Sequence, residues 1–415
     1  MGSNRGVGMA TPQTLQAPGS AVLVINSGSS SVKFAVFATD PTMPRLLSGI
    51  VDRIGLVGGR FEVRDETGKV LFDQPSSIVN HKAALFLLIK TLGEQLGART
   101  LSAVGHRIVH GGANCDCPLP VTKELEVRLQ LLVPLAPLHL PHNLAGIAAI
   151  RELQPDLPQV ACFDTAFHHS LPRLARLTTL PREFQDQAIR RYGFHGLSYE
   201  YIVDALRKDG VNVARERILV AHLGNGASMC ALKDGRSVET TMGFSTLAGL
   251  MMGTRSGDLD PGVLLYLLME KGMSAEAVQK LLYERSGLLG VSGASSDMRQ
   301  LLSQDDNPAA AEAIDLFCYR ARQHLAALTA ALGGLDRLVF TGGIGANAPE
   351  IRARICDGLA YLGITLDRKT NLAGDMTISP SGAAVTVQAV HSDEEVMIAR
   401  HVIHLCARQL AQAGA

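Results

Sequence analysis

The sequence predicts an α/β protein made of two duplicated domains, and three observations support that prediction. Residues 22–37 and 218–232 each predict a strand, a polar turn rich in Gly, Ser and Asn, and a second strand. Helical apolar spacing occurs between such runs, as at 83–96 and 143–152. With 415 residues, 47% of them hydrophobic, the chain is long enough for two cores.

Composition excludes several function classes. Lys and Arg together number 39, as do Asp and Glu, so no global charge attracts nucleic acid or an anionic membrane surface. No apolar run is long enough to span a bilayer. We therefore expect no nucleic-acid partner and no membrane partner.

The cysteines and the first residues bear on the cellular compartment. Seven cysteines are scattered, and the closest pair, Cys115 and Cys117, lacks the C-x-x-C spacing of a zinc or redox site. Residues 1–20 contain no apolar stretch of signal-peptide type and are rich in Gly, Thr, Gln and Pro. We expect reduced thiols in a cytoplasmic protein and a disordered leader over 1–20, with Met9 as an alternative start.

The first turn carries groups that bind phosphate. Asn26, Ser29, Ser31 and Lys33 surround Gly28, and the backbone N–H groups, hydroxyls and ammonium of such a turn are suited to phosphate oxygens. The alternative is a solvated serine-rich hairpin tip, because serine is common in turns for conformational reasons alone.

Arg107 is a candidate anion ligand. It lies in a predicted strand at 103–109, shortly before Gly111 and Gly112, and glycines let a backbone approach an anion closely. The alternative is a surface arginine in an ion pair. Three further strands and a helix are predicted ahead of it, at 46–50, 60–63, 70–72 and 83–96.

His139 and Asp164 are the next candidates. His139 lies in a proline-punctuated loop before the helix at 143–152, where it suits the core as well as a ligand site. Asp164 follows the strand at 159–163, and open α/β sheets place their chemistry at the carboxyl ends of strands. An aspartate there equally suits the N-cap of a following helix.

The second hairpin repeats the design of the first. Its turn consists of His222, Leu223, Gly224, Asn225 and Gly226. Because the two hairpins belong to duplicated domains, we expect their turns to face each other and to grip a polyphosphate from both sides.

Two more residues have settings that suit an active site. Arg255 stands between Thr254 and Ser256, with glycines beyond, which again suits a guanidinium held close to an anion. His195 stands between Phe194 and Gly196, and its role depends on what else converges there.

The last third of the chain predicts a nucleotide cradle. A strand at 338–340 runs into a glycine turn at 341–347, and a helix is predicted from Pro349. Upstream, Asp297 precedes a short helix whose start it would cap. A rival interpretation is a nicotinamide-dependent dehydrogenase, because residues 343–348 satisfy G-x-G-x-x-A and Asp367 ends a predicted strand at 364–366.

The final helix is predicted from 396, with apolar residues at 396, 399, 402, 403 and 406. Ser392 and Glu395 have capping-box spacing, which leaves Glu394 available to a metal.

In this order, the segments resemble the acetokinase family from Val22 to the terminal helix. The most specific matches are 26–33 and 105–112, supported by 163–168, 192–196, 222–228, 253–258 and 341–347. The resemblance implies two ribonuclease-H-like domains of the actin, Hsp70 and sugar-kinase type with a nucleotide cleft between them. It implies an N-terminal domain over 21–167 closed by a helix at 396–415, and a nucleotide-binding and dimerisation domain over 168–395.

The resemblance also implies an activity: reversible in-line transfer of the γ-phosphoryl group of ATP to acetate, with Mg²⁺ (or Mn²⁺), in a homodimer. Arg107 would hold the acetate carboxylate, and Arg255 with His195 would stabilise the transferring group. Asp164 is the family's active-site acid/base, although physical argument favours its orienting Mg²⁺ or arginine, since a carboxylate substrate needs no strong base.

The resemblance implies roles for further residues. Asn26 and Glu394 would position the metal. Phosphates would be gripped by Lys33, Ser29, Ser31, His222, Leu223, Gly224, Asn225 and Gly226. The nucleoside would be surrounded by Asp297, Met298, Arg299, Gly343, Ile344, Gly345, Ala346 and Asn347.

The acyl pocket is predicted around Val109. Side chains alternate along a strand, so Val109 should point to the same side as Arg107. By resemblance, valine there goes with acetate and alanine with propionate, and we expect His139, Leu138 and Phe194 to complete the site. The alternatives are a propionate or butyrate kinase and, from another class, a non-metabolic ATPase of the Hsp70 or actin type.

The chain departs from the family pattern at five positions, Leu197, Tyr199, Thr246, Ala248 and Ala346. The family often has Gly-Thr-Ser-His where this chain has residues 196–199, ending in Tyr199, and Gly-Glu-Asn where it has Ala346 between Gly345 and Asn347. Thr246 and Ala248 stand where many members have proline and an acid. We expect these changes to affect the support of His195, the nucleotide contacts and the acyl pocket, respectively.

Overall fold

The computed structural model describes residues 19–76, 78–304 and 306–413. Most of the predicted leader lies outside these residues, but its last residue, Ser20, already belongs to the first strand. The chain divides into two compact units. Unit 1 contains the residues up to Ala166 together with those from Asp393 onward, and unit 2 contains Phe167–Ser392.

Unit 1 is an α/β unit with one large sheet. Its strands are β1 (Ser20–Ser27), β2 (Val32–Ala38), β3 (Arg45–Asp52), β4 (Gly59–Asp65), β5 (Val70–Ser76), β6 (Thr100–Ile108), β7 (Leu119–Pro120) and β8 (Gln159–Phe163). Its helices are α1 (His81–Gln95), α2 (Lys123–Leu131), α3 (Leu140–Leu153) and, from the end of the chain, the helix Glu394–Ala413. The strand order is β5-β4-β3-β2-β1-β6-β8-β7.

Unit 2 contains a smaller sheet and more helices. Its strands are β9 (Ile218–Leu223), β10 (Ala227–Lys233), β11 (Arg236–Thr240), β12 (Arg337–Thr341) and β13 (Thr386–Ala389), in the order β11-β10-β9-β12-β13. Its helices are α4 (Arg173–Arg176), α5 (Arg182–Asp186), α6 (Gly196–Lys208), α7 (Pro261–Met269), α8 (Ala275–Glu284), α9 (Gly287–Ser292), α10 (Met298–Leu302), α11 (Pro308–Leu332), α12 (Gly342–Asn347), α13 (Pro349–Cys356) and α14 (Arg368–Ala373). The helix Glu394–Ala413 is α15.

The two sheets share one five-stranded pattern. In unit 1, β3, β2 and β1 pair antiparallel in turn, and β1, β6 and β8 pair parallel. In unit 2, β11, β10 and β9 pair antiparallel, and β9, β12 and β13 pair parallel. The same order and directions confirm the predicted duplication and the ribonuclease-H-like fold. In unit 1, β4, β5 and β7 extend this pattern at its two edges.

Helices cover both faces of the unit 1 sheet. Val104 packs with α1 in one apolar cluster. The next residue, Gly105, faces the other way, since strand side chains alternate. A Cβ on Gly105 would lie 2.5 Å from Ile398 of α15, so only glycine lets this helix lie flat on β6. The apolar face of α15 is formed by Ile398, Ala399, Val402 and Cys406; the predicted members at 396 and 403 are only partly buried.

Two predicted elements are wrong. The strand predicted at 364–366 is irregular chain, and Asp367 caps α14 by accepting from Thr370 N. The glycine turn predicted at 341–347 is α12, which begins at Gly342 directly after β12. Gly342 has φ +77° and packs against the Leu223 backbone, which admits only glycine. Without the predicted strand and turn, the dinucleotide-binding alternative loses its structural basis.

Candidate active site

The turn between β1 and β2 presents the predicted phosphate ligands. Asn26 and Lys33 are paired across the two strands, and Gly28 N donates to Ser31 O at 2.8 Å to close the turn. Directly paired residues lie on the same face, so the amide and the ammonium are neighbours. Ser29 and Lys33 are exposed. The arrangement leaves the polar groups accessible to a ligand.

Arg107 lies beside Asp164 and Glu394. Its Nε and Nη2 donate to Oδ1 and Oδ2 of Asp164, at 2.9 and 2.7 Å, and its Nη1 is 3.5 Å from Glu394 Oε2. Burial alone would lower the pKa of the guanidinium, but the two carboxylates outweigh it and raise that pKa. A guanidinium has five N–H donors in a fixed fork, so donors remain for a substrate carboxylate.

Val109 does not continue the Arg107 strand, although the sequence predicts that it does. β6 ends at Ile108, so strand alternation does not extend to Val109. The Val109 N–H instead donates to Asn143 Oδ1 at 3.0 Å, and Asn143 Nδ2 donates to Ser27 O at 2.9 Å. This buried amide therefore ties the end of the Arg107 strand to the end of β1.

The two glycines after Arg107 are required by packing. A Cβ on Gly111 would lie 2.7 Å from Cys115 Cβ, and Gly112 has φ +67° beside Leu132. Their contacts are with the protein, which corrects the inference that they open a path for an anion. Leu138 and His139 lie partly buried immediately before α3, the helix that carries Asn143.

In unit 2, His195 and Arg255 converge on the second hairpin turn. Leu223 and Ala227 close that turn, with Gly224 N donating to Gly226 O at 3.1 Å. A Cβ placed on Gly226 would lie 3.3 Å from His195 Nε2 and 3.7 Å from Arg255 Nη1. The turn, an imidazole and a guanidinium thus form a compact group suited to an anion.

Arg255 is oriented by a backbone carbonyl. Its Nη1 donates to Thr246 O at 3.0 Å. The loop that carries it is tightly packed: a Cβ on Gly253 would lie 2.0 Å from Asn225 Oδ1, and one on Gly287 only 2.7 Å from Arg255 O. The small residues predicted to admit an anion therefore serve to seat this loop.

His195 has a constrained backbone and a polar network. Its φ of 59° and ψ of 25° place it in the left-handed region, which is uncommon for a residue other than glycine. Its Nδ1 is 2.8 Å from Ser228 Oγ, and Ser228 Oγ is 2.5 Å from the Tyr199 hydroxyl. The ring stacks on His222 at 4.3 Å, and His222 Nδ1 bonds Ser198 Oγ at 2.8 Å.

His168 holds the backbone just before His195. Its Nε2 donates to Phe194 O at 2.9 Å, and its Nδ1 accepts from Ser237 Oγ at 2.8 Å. Burial lowers the pKa of His168 to about 4, so the ring is neutral at physiological pH. Phe194 itself is buried. The carbonyl directly before His195 is therefore fixed by a neutral histidine.

A pocket of about 610 Å³ lies beside the second turn. Eight predicted nucleotide residues line it: Gly224, Asn225, Asp297, Met298, Arg299, Gly343, Ile344 and Asn347. Ser296 and Ala348, which were not predicted, complete the lining. Asp297 also caps α10 by accepting from Arg299 N, which confirms the structural alternative for that residue, while its contact with a nucleotide stays a prediction.

Gly345 and Ala346 do not line this pocket. Both carbonyls accept hydrogen bonds from Nη1 of the buried Arg352, at 2.9 and 2.8 Å. They face the interior because α12 is a helix with only one side toward the pocket. Arg352, which anchors that helix, carried no signal in the sequence. His222, Leu223 and Gly226 also lie outside the lining.

The start of α15 corrects the predicted capping box. The helix begins at Glu394, and Asp393 caps it by accepting from Val396 N at 3.0 Å. Glu395 forms an ion pair with Arg45 instead of capping the helix. Glu394 faces Arg107. It takes no part in the cap, as the sequence predicted.

Asn26 and Glu394 offer oxygen donors of the kind that Mg²⁺ prefers. The described residues contain no group of three His, Cys, Asp or Glu side chains that would bind a metal alone. Mg²⁺ usually takes one or two protein ligands and completes its shell with phosphates and water, so a sparse oxygen set fits a metal that arrives with a nucleotide.

Sequence reasoning missed the supporting residues. Asn143, Ser228 and Arg352 bind other site residues but belong to no recognised spacing. His168 and Ser228 lie within matched segments, and this was the only available signal for them. Within the described part of the chain, no helix is long and apolar enough to cross a membrane.

Known proteins resemble this chain over most of its length. An acetate kinase from Rhodopseudomonas palustris is 53% identical over 393 residues, covering 92% of this chain and 98% of the relative. An acetate kinase from Methylocella silvestris is 45% identical over 395 residues, covering 92% and 97%.

Solved structures have the same fold. The crystal structure of Porphyromonas gingivalis acetate kinase has a TM-score of 0.84 and 37% identity, covering 93% of this chain and 99% of its own. A propionate kinase from Francisella tularensis has a TM-score of 0.86 and 35% identity, covering 92% and 98%. The model of the acetokinase family matches residues 21–400, and the chain is a member of that family.

Proposed function

We propose that the chain catalyses the reversible transfer of the γ-phosphoryl group of ATP to acetate, giving acetyl phosphate and ADP. The observation that carries this proposal is the Arg107 fork, held rigidly by both oxygens of Asp164 with further N–H donors available. A pre-oriented guanidinium is the best protein ligand for a small carboxylate. Family membership argues against the dehydrogenase and the non-metabolic ATPase.

Asp164 acts in this proposal as an orienting group. Its carboxylate accepts two hydrogen bonds from Arg107, and its side chain is almost fully buried. The acceptor oxygen of acetate is already anionic, so the reaction needs no base to remove a proton. Holding the arginine in one rotamer is the contribution that Asp164 can make to in-line attack.

His195 and Arg255 stabilise the transferring phosphoryl group. Both point nitrogen atoms at the Gly226 turn, where backbone N–H groups add further donors. Charge develops on the equatorial oxygens during transfer, and fixed donors there lower the barrier.

ATP and ADP are the co-substrates. We assign the nucleoside to the pocket lined by Ser296, Met298 and Ile344, and the phosphates to the Gly224–Gly226 turn and to Ser29, Ser31 and Lys33. Mg²⁺, or Mn²⁺ in its place, would be positioned by Asn26 and Glu394. When bound, the metal neutralises phosphate charge.

Acetate is proposed as the preferred acid, with propionate and butyrate as the competing assignments. The similarity to a solved propionate kinase shows that the fold does not discriminate between these acids. Val109 is buried two residues after Arg107 and, with Leu138 and Phe194, is our candidate for the wall of the acyl pocket. His139 is a candidate for polar contact with the acid.

The enzyme is proposed to be a cytoplasmic homodimer. All seven cysteines are free thiols, which fits a reducing compartment. The apolar helix α7 has no buried residue, with Leu265, Tyr266 and Met269 all more than half exposed. An apolar helix normally packs against something, so α7 is our candidate for the dimer surface. Leu265→Glu should yield monomers by sedimentation, whereas the exposed Leu174→Glu in α4 should not.

The decisive experiment traps acyl phosphate with hydroxylamine. The protein is incubated with ATP and Mg²⁺ and with acetate, propionate, butyrate or no acid, and hydroxamate and ADP are measured. More hydroxamate from acetate than from propionate or butyrate supports the proposal. ATP turnover that no acid changes, without hydroxamate, overturns it in favour of a non-metabolic ATPase. More product from propionate moves the assignment to that acid.

A further inference from the structure

We propose that Tyr199 is a positioning residue that, through Ser228, holds His195 in the tautomer with its proton on Nε2. The proposal rests on the phosphoryl-transfer function assigned to His195 above. It concerns a residue that departs from the family pattern, which often has histidine at this position.

The contacts form an uninterrupted chain. The Tyr199 hydroxyl is 2.5 Å from Ser228 Oγ, and Ser228 Oγ is 2.8 Å from His195 Nδ1. Tyr199 and Ser228 are completely buried, and His195 is nearly so. Water is therefore excluded as a competing partner along this chain.

Hydrogen-bond chemistry decides the direction of the chain. Ser228 has one O–H, which it can give to His195 Nδ1 or to Tyr199 but not to both. A phenol is a stronger donor and a weaker acceptor than an aliphatic alcohol, since its pKa is about 10. Tyr199 therefore donates to Ser228, and Ser228 donates to Nδ1. The neutral imidazole must then carry its proton on Nε2.

The Nε2 proton is the useful one. Nε2 is the ring nitrogen that faces the Gly226 turn, where Arg255 also points. A proton there makes His195 a donor to an oxygen of the transferring group, whereas the other tautomer would present a lone pair to an anion. Three titratable or charged groups lie against this set: His222 stacks on the His195 ring, Arg255 points at the same turn, and His168 lies edge-on to the Tyr199 ring.

The aromatic body of Tyr199 has a separate, structural role. Its ring lies edge-on to His168 at 5.5 Å and near Phe167 at 6.1 Å. Tyr199→Phe keeps that packing and removes only the hydroxyl. Tyr192→Phe is the matched control, because Tyr192 is also buried and donates its hydroxyl to a backbone carbonyl, Ala188 O, at 2.8 Å.

The first test is kinetic. Tyr199→Phe should lower kcat about three- to tenfold, as expected for loss of one buried neutral hydrogen bond, with KM for acetate and ATP unchanged. Tyr192→Phe should leave kcat within about twofold. Ser228→Ala should match Tyr199→Phe, and the double variant should be no slower than Ser228→Ala. Additive losses would overturn the proposal, because Tyr199 would then act independently of Ser228.

The second test does not depend on activity. In ¹⁵N-histidine spectra at pH 8, the His195 signals, identified by their absence in His195→Gln, should show the Nε2–H form in the wild type. They should shift toward the Nδ1–H form in Tyr199→Phe. Identical signals in both proteins would overturn the proposal. A protein that makes no acyl hydroxamate but shows this shift would disprove the assigned reaction and leave the Tyr199 relay standing.

Discussion

Asp164 binds Arg107 with both carboxylate oxygens, and this two-point contact restricts what each residue can do. Asp164→Asn keeps the volume but leaves one acceptor oxygen where there were two. We expect kcat/KM for acetate to fall roughly 10–100-fold, the loss typical of a charge-assisted hydrogen bond. Steady-state kinetics from pH 5.5 to 8.5 measures it. If Asp164 were a general base, wild-type kcat would fall below an acidic pKa and the variant would lose that limb.

Arg107→Ala and Arg255→Ala should each reduce turnover by about 10²–10³ without unfolding the protein, because each removes a cation from the proposed phosphoryl-transfer machinery. For Arg107 the KM for acetate should rise as well, whereas for Arg255 the loss should appear in kcat. Arg236→Ala is the control, because Arg236 is an exposed arginine at the start of β11. Near-normal rates in either active-site variant would contradict the assignment.

Glu394→Gln and Glu395→Gln should separate metal binding from stability, although the residues are adjacent. Glu394 faces Arg107, so its variant should need more Mg²⁺ for half-maximal rate, and added metal should partly restore activity. Glu395 pairs with Arg45 near the surface, and its loss should cost about 0–1 kcal/mol of unfolding free energy with no change in Mg²⁺ dependence. Titration of rate against Mg²⁺ checks this; exchanged behaviours would make Glu395 the metal carboxylate.

Acidification should destabilise the protein partly through His106. Burial lowers its pKa to about 4 from 6.5, against a smaller opposing effect of the hydrogen bond to Gln159. Between those values the unfolded chain binds the proton and the folded one does not, so stability falls as pH drops below 6.5. Between pH 7.5 and pH 5.5, the free energy of unfolding measured by calorimetry should fall by about 1.4 kcal/mol less in His106→Gln than in the wild type. His404→Gln, at an exposed position, should lose as much stability as the wild type. An equal loss in all three proteins would show that His106 does not contribute to the acid sensitivity.

Val109→Ala should shift kcat/KM toward propionate. Removing two methyl groups makes room for one more carbon, and a methylene in such a pocket is worth about 1–3 kcal/mol. Val121→Ala, which removes the same two methyl groups beside the apolar cluster that contains Ile108, is the control. The ratio of kcat/KM for the two acids is the measurement. An unchanged ratio in Val109→Ala would place the selectivity elsewhere, with Thr246 the first residue to examine.

Local patterns predicted the fold and the parts of the site that are themselves local. Both hairpins, the positions of Arg107 and Asp164, and most of the residues that line the pocket beside the second turn follow from strand ends and turns, where chemistry and sequence spacing coincide. Ser228 and Asn143 could not be found this way, because their partners are distant in sequence and only the packed fold brings them together. Tyr199 stood out only as a departure from the family pattern, without its partner Ser228.

The remaining errors came from competition between local signals. Ser392 had the spacing of a capping box, but Asp393 is an equally good N-cap one residue later and also pairs with Arg45. The glycines at 342–347 suggested an open turn, yet the buried Arg352 binds the carbonyls of a helix there. In both cases a tertiary ion pair or hydrogen bond decided between two conformations that the local sequence allows.

The position of α15 has a consequence for synthesis on the ribosome. The helix covers β6 in unit 1, but it is translated after every residue of unit 2. Unit 2 is continuous in sequence and has all its elements before α15 emerges, so it can complete its fold first. The earlier-made sheet must wait with one apolar face uncovered, which reverses the usual N-terminal-first order. Nascent chains stalled within α15 are therefore where chaperones should bind most strongly.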